Sequence, residues 1–173
     1  MRNILKNRTA LSTVVTTLII LVVSVLLAGV VTYFAINVTT TRVQEENLRV
    51  TNAHLWANST VAQAAFVIMN IGGRDTLIGK IQVRGQVIPW GNTVKYNRTS
   101  TAPTKDLTYI KPPFASPFKD ATADLSLKSG ECLVIYIENP GTMSVQDIGT
   151  TCSITVFTAS AQYKVEVNVG SAS

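Results

Sequence analysis

The chain has one histidine, two cysteines and, between Arg8 and Arg42, no charged residue at all. Each scarcity excludes something. His54 with Cys132 and Cys152 cannot complete a tetrahedral zinc site without carboxylate help. No Walker loop, no HExxH and no GxSxG occurs, so the short motifs of phosphate binding, zinc hydrolysis and serine hydrolysis are missing. Nothing in the sequence supports an enzyme, and no metal or cofactor is expected. His54 reads as a polar residue near a helix end. Charged residues make up only 14% of the chain. Arg2, Lys6 and Arg8 supply three of the 15 basic residues, and the remaining 12 face 10 acidic ones. Nucleic-acid binding needs a concentrated basic face, and none is expected here.

What the chain has is grease. Its apolar core runs from Leu11 to Val38. A secretory signal carries an apolar region of roughly 7–15 residues followed by a small-x-small cleavage site. This run is longer, and no Ala-x-Ala follows it. A plain membrane span needs about 20 residues. A helix over Leu11–Val38 would reach about 42 Å against a hydrocarbon core of about 30 Å. Tilt absorbs part of the excess, so an anchor is possible but leaves the length unexplained. The basic leader MRNILKNR favours a cytoplasmic N-terminus, which sends everything after about Val38 outside. TTTRVQEENLRVTNAHLW has no Gly or Pro, so the helix is expected to continue to about Trp56.

The period then changes. With 173 residues in all, one ordinary domain fits beside the helix. AQYKVEVNV, Ala161 to Val169, alternates as a half-buried strand does. CLVIYI, Cys132 to Ile137, is continuously apolar and reads as a strand covered on both faces. SITVF (Ser153 to Phe157) and AFVIMNI (Ala65 to Ile71) read similarly. GKIQVRGQVIPW holds two short strands about a turn at Arg84-Gly85. Six to eight short strands punctuated by turns at Gly72–Asp75, Lys128–Gly130 and Asn139–Gly141 predict an immunoglobulin-like β-sandwich over Ala57 to Ser173. Asn97 to Lys119 carries Pro103, Pro112, Pro113 and Pro117 with Tyr109, Phe114 and Phe118. It is a loop or an edge, either a surface excursion packed by its own aromatics or an intersubunit contact.

A short basic leader, then Ala-Leu-Ser opening a long apolar helix, then a β-domain: this plan resembles an archaeal type IV pilin. Its most specific part is KNRTALSTVVTTLIILVVSVLLAGVVTYF, Lys6 to Phe34. The resemblance implies a leader over 1–10, cut between Ala10 and Leu11 (or after Thr9) by a dedicated prepilin peptidase. It implies a helix over 11–56 that is retained as membrane anchor before assembly and filament core afterwards. The fold class is then α+β, and the partners are copies of the chain itself in a homopolymer, the membrane before assembly, and the pilus assembly machinery. The function implied is that of a structural subunit of a surface-adhesion pilus. Bacterial pilins usually carry a glutamate five residues into the mature chain. Val15 stands there, as is common in archaeal members. Two other readings stay open: an archaellin, and a single-pass surface binding protein whose exposed aromatics, such as Trp90, Tyr96 and Tyr109, meet a sugar.

A helix apolar on every side must be buried somewhere. The membrane serves before assembly, and a bundle of identical helices serves after it. A head-to-tail contact whose rotation does not close builds an open helical filament. Thr17, Ser24, Ala28, Thr32 and Ala35 form a small-residue stripe that lets helices approach closely. Cys132 and Cys152 each open an apolar run. If their strands are neighbours, an external disulfide is feasible; otherwise they are two buried thiols, and the disulfide is expected. Of the four Asn-x-Ser/Thr sequons, Asn7 lies in the leader and Asn37 in the helix. Asn58, at the helix–domain junction, and Asn97, in a loop, are the expected glycan sites.

Overall fold

The computed structural model describes residues 4–43 and 45–172; the first three leader positions, position 44 and position 173 lie outside that set. The chain forms two compact units, Met1–Arg42 and Val43–Ser173. The first is a helix, α1, over Ile4–Val43. The second is all β: β1 (Leu48–Ala57), β2 (Ala62–Asn70), β3 (Thr76–Val83), β4 (Gln86–Ile88), β5 (Gly91–Thr99), β6 (Lys119–Ala121), β7 (Leu125–Leu127), β8 (Cys132–Glu138), β9 (Thr151–Thr158) and β10 (Gln162–Ser171). The α+β layout is therefore present. The helix, however, stops at Val43 rather than near Trp56. Leu48–Ala57 is a strand, so the β unit begins at Val43 and not at Ala57.

A bulge explains why β1 is hard to read. Ahead of it Leu48 and Val50 face the core; beyond it Ala53, Leu55 and Ala57 do. The parity switches between Thr51 and His54, where the register against β2 slips and Asn52 takes φ 47°. One extra residue in a strand moves every later side chain to the other face. The alternation is lost, and apolar residues at 48, 50 and 55 pass for loose helical spacing.

The strands follow one continuous path, β4-β3-β9-β10-β1-β2-β8-β5-β6, with β7 also on β3, and the sheet curves as a half-barrel. Its two flanks meet in a short parallel seam, where Leu55–Ala57 pair with Val169–Ser171. Both flanks send side chains to one core: Phe66, Ile68, Leu133, Ile135 and Ile137 from β2 and β8, and Ile78, Ile81, Ile154 and Val156 from β3 and β9. β10 lies against this core as its alternation predicts, with Val169 buried, Tyr163, Val165 and Val167 half-buried, and Lys164 and Glu166 exposed.

The unbroken apolar runs have the expected cause. β2 and β8 are covered on both faces. Their outward residues Ala65, Val67, Val134 and Tyr136 form a second buried cluster, roofed by Leu107, Ile110, Phe114 and Phe118 of the proline-rich segment. Gln63 pins that roof. Its buried amide donates to the Ile110 carbonyl (2.8 Å) and accepts from the Ile110 N–H (3.0 Å). The Tyr136 hydroxyl donates to the Thr108 carbonyl (3.0 Å), while burial pushes the Tyr136 phenol above its ordinary pKa. The segment thus substitutes for a second sheet layer using side chains, since its prolines deny it a ladder.

Removing the pin tests this. Gln63→Ala should cost about 1–3 kcal/mol, the usual range for orphaning buried backbone partners. It should also open the roof locally. Lys105 is exposed within the segment, so tryptic cleavage after it should become faster in the variant. An unchanged cleavage rate at Lys105 would show that the aromatic contacts alone hold the roof.

Two turns are specified by residue type. Arg84 and Gly85 both take positive φ, 52° and 83°, between β3 and β4. That is the mirror-image turn whose twist suits a two-residue hairpin. Gly72 is needed for a different reason: a Cβ there would lie 2.5 Å from the Glu45 carbonyl oxygen and 2.7 Å from the Asn47 nitrogen. The buried Asn70 side chain completes this knot, donating to the carbonyls of Arg74 (2.7 Å) and Leu127 (3.1 Å) and accepting from the Gly72 N–H (3.0 Å).

Candidate functional site: an exposed apolar helix

Every described side chain from Leu11 to Thr41 is exposed. Tyr33 and Phe34 stand at 70% and 69% of full exposure. The span is apolar and long enough to cross a membrane. Its 31 residues rise about 46 Å at 1.5 Å each. The Ala10–Leu11 bond lies inside α1, after about two turns.

Hydroxyls interrupt the apolar surface, but they are turned inward along the helix. Thr17 donates to the Val14 carbonyl (2.9 Å), Ser24 to Ile20 (2.6 Å), Thr32 to Ala28 (2.7 Å) and Thr39 to Ala35 (2.8 Å). Back-bonding of this kind spares each O–H from needing water or a partner. The groups that look polar in the sequence therefore present methyl and methylene to a neighbour. At 100° per residue, Thr17, Ser24, Ala28, Thr32 and Ala35 fall within an arc of about 80°. Leu21 shares that arc, so the small-residue stripe is broken once. Val22 lies about 120° round from Ala28.

The other expected site residues are scattered over the β unit. Cys132 and Cys152 are free, buried thiols, so the expected disulfide is not formed. Its condition fails: Cys132 is in β8 and Cys152 in β9, and β10, β1 and β2 stand between those strands in the sheet order. Burial pushes the Cys132 thiol above its ordinary pKa. His54 is in β1, not at a helix end, and stacks on Trp56 at 5.4 Å. Trp56 in turn meets the edge of Tyr109 at 6.4 Å. Trp90 is half-buried against the core, its indole N–H shared between the Gly79 carbonyl and Asp124 (3.0 Å each). Asn58 sits in the turn between β1 and β2, while Asn97 lies within β5 opposite Val134, not in a loop. Among the described residues, no group of three or more His, Cys, Asp or Glu is placed to hold a metal ion.

The candidate site is thus a surface rather than a pocket. No family model matches the chain, and no curated protein matches it either. The back-bonded hydroxyls are what sequence reasoning missed. The signal was available, since in an uninterrupted helix each carbonyl keeps a second lone pair that a Ser or Thr three or four residues on can use.

Proposed function

We propose that the chain is a structural subunit of an archaeal type IV pilus, made as a membrane-anchored precursor and polymerised through α1 into an extracellular adhesive filament. The observation that carries the reading is the exposed helix. It is apolar all round, exceeds a hydrocarbon core of about 30 Å, and hides its own hydroxyls. Such a helix is stable in lipid, and equally in a bundle of its copies. The excess length favours the bundle over a simple anchor, because it gives neighbouring subunits more overlap. In this reading the leader is cut before Leu11, the β unit is an immunoglobulin-like head, and copies associate head to tail without closing.

A pair of enlargements tests it. Ala28→Leu adds volume on the stripe, where close packing costs typically about 1–3 kcal/mol when neighbours cannot adjust. It keeps the helix apolar, so insertion into the membrane survives. Val22→Leu, off the stripe, is the milder reference: it adds one carbon where Ala28→Leu adds three. Expected is Ala28→Leu protein at normal membrane level, with mature N-terminus Leu-Ser-Thr-Val-Val, but poorly recovered in sheared filaments seen by electron microscopy. Val22→Leu should give ordinary filament yield. Equal yields would remove the stripe from the mechanism, and an intact Met1 terminus in filaments would remove the processing step.

A further inference from the structure

The two expected glycan sites differ in ways the sequence does not show. Asn58 opens the turn between β1 and β2. Its Oδ1 accepts from the backbone N–H groups of Thr60 and Val61, both at 2.8 Å. Its Nδ2 donates to no protein group among the described residues. Ser59 and Thr60 are exposed, and the Thr60 hydroxyl is likewise unengaged among those residues. The amide nitrogen and the hydroxyl two residues on are therefore both reachable, with the carboxamide held in one orientation.

Asn97 is half-buried like Asn58, but its backbone and its sequon hydroxyl are placed differently. It lies inside β5, which pairs with β8 along Val94–Thr99 and with β6 at Lys95 and Tyr96. The Thr99 hydroxyl of its sequon is buried and has no partner among the described residues. An enzyme that must grip this sequon would first have to pull β5 off β8.

A second observation concerns the surroundings of the two amides. Asn58 lines a cleft of about 360 Å³ together with Asn139, Pro140, Met143, Ser144 and Val145, whereas the cleft beside Asn97, about 270 Å³, is lined by the cations Arg98 and Lys119. The Asn58 cleft is at the small end of ligand-sized clefts, roughly 300–1,000 Å³. No charged residue lines it. Amides and hydroxyls stand beside Met143 and a Val145 that is 46% exposed. Hydroxyl-matching groups next to small apolar patches suit an uncharged sugar ring, whose edge is polar and whose face is not.

We propose that Asn58, and not Asn97, is an N-glycan acceptor, and that the first sugar lies in this cleft. The acceptor step joins Asn58 Nδ2 to the anomeric carbon of a sugar carried on a polyprenyl phosphate. The bond from that carbon to the phosphate oxygen breaks, the lipid phosphate departs with the electron pair, and the amide loses one proton. The inference rests on the outward-facing β unit of the proposed function.

The test uses the full chain expressed in an N-glycosylating host. Glycopeptide mass spectrometry should find the sugar mass on the peptide containing Asn58 and not on that containing Asn97. The mass shift should be lost in Asn58→Gln and kept in Asn97→Gln. Protease added to intact cells reports separately whether the β unit is outside. A β unit outside with Asn58 bare, or with Asn97 modified, overturns the proposal alone. A β unit shielded from protease overturns the outward reading and the proposal with it. For the cleft, amide hydrogen exchange over 141–146 should be slower in the glycosylated chain than in Asn58→Gln. Equal exchange overturns the placement of the sugar.

Discussion

A chain cut to Val43–Ser173 should fold, stay monomeric and form no filament. Folding follows from where the core lies. Both buried clusters draw only on residues from Leu48 onward, and the unit of about 130 residues is large enough to bury roughly two-thirds of its chain's surface. Loss of assembly follows from the proposed role of α1, since the cut removes the apolar surface that requires a neighbour. The cut must fall at Val43. Starting at Ala57, where sequence alone places the domain, would delete β1 from the middle of the sheet and unpair β2 from its Leu48–Ala57 partner. Circular dichroism should show a β-type spectrum for the longer fragment and loss of cooperative unfolding for the shorter. Sedimentation should show a monomer. Filaments grown from the helix-free chain would place assembly in the β unit and end the helix-core mechanism.

The contrast between those two fragments also measures what the sequence reveals. The helix is legible because no charged residue and no proline interrupts its run from Leu11 to Val38. β8 and β10 are legible because their burial patterns are pure: two-sided for Cys132–Ile137, one-sided for Tyr163–Val169. The hairpin at Arg84-Gly85 is legible because its turn needs positive φ. β1 fails because its bulge breaks the period. β5 fails because only Val94 and Tyr96 mark its inner face, and the three-residue strands β6 and β7 are too short to show any period. The roof over β2 and β8 is half legible. Its prolines exclude a strand, but its partner is named by Gln63, a polar residue inside an apolar run that only the fold explains. The disulfide expectation fails because order along the chain is not order across the sheet. The path by which β8 and β9 end up apart depends on the β1/β10 seam, which joins segments more than a hundred residues apart.

Phe66→Ala should be the most damaging single substitution in the β unit. Phe66 is fully buried at the centre of β2, opposite Ile135 of β8, and β2 is flanked by β1 and β8. It is the largest of the fully buried side chains in the core. Truncation removes apolar area and leaves a cavity that the neighbouring strands β1 and β8 cannot close, because each is held to β2 by its hydrogen-bonded ladder. Phe→Ala in such a site typically costs about 3–5 kcal/mol. For a domain of total stability roughly 5–15 kcal/mol, that is a large share, and it should lower the midpoint of thermal unfolding by roughly 10–20 °C. Val67→Ala, one residue along and on the roofed face, is the informative comparison. It deletes fewer atoms, and the roof above it is a loop segment free to settle, so the loss should be about 1–2 kcal/mol. Unfolding of both variants in the Val43–Ser173 fragment by denaturant measures the difference directly. If Val67→Ala proved as costly as Phe66→Ala, the proline-rich segment would be as rigid a layer as a paired sheet, and its role as an adaptable cover would have to be given up.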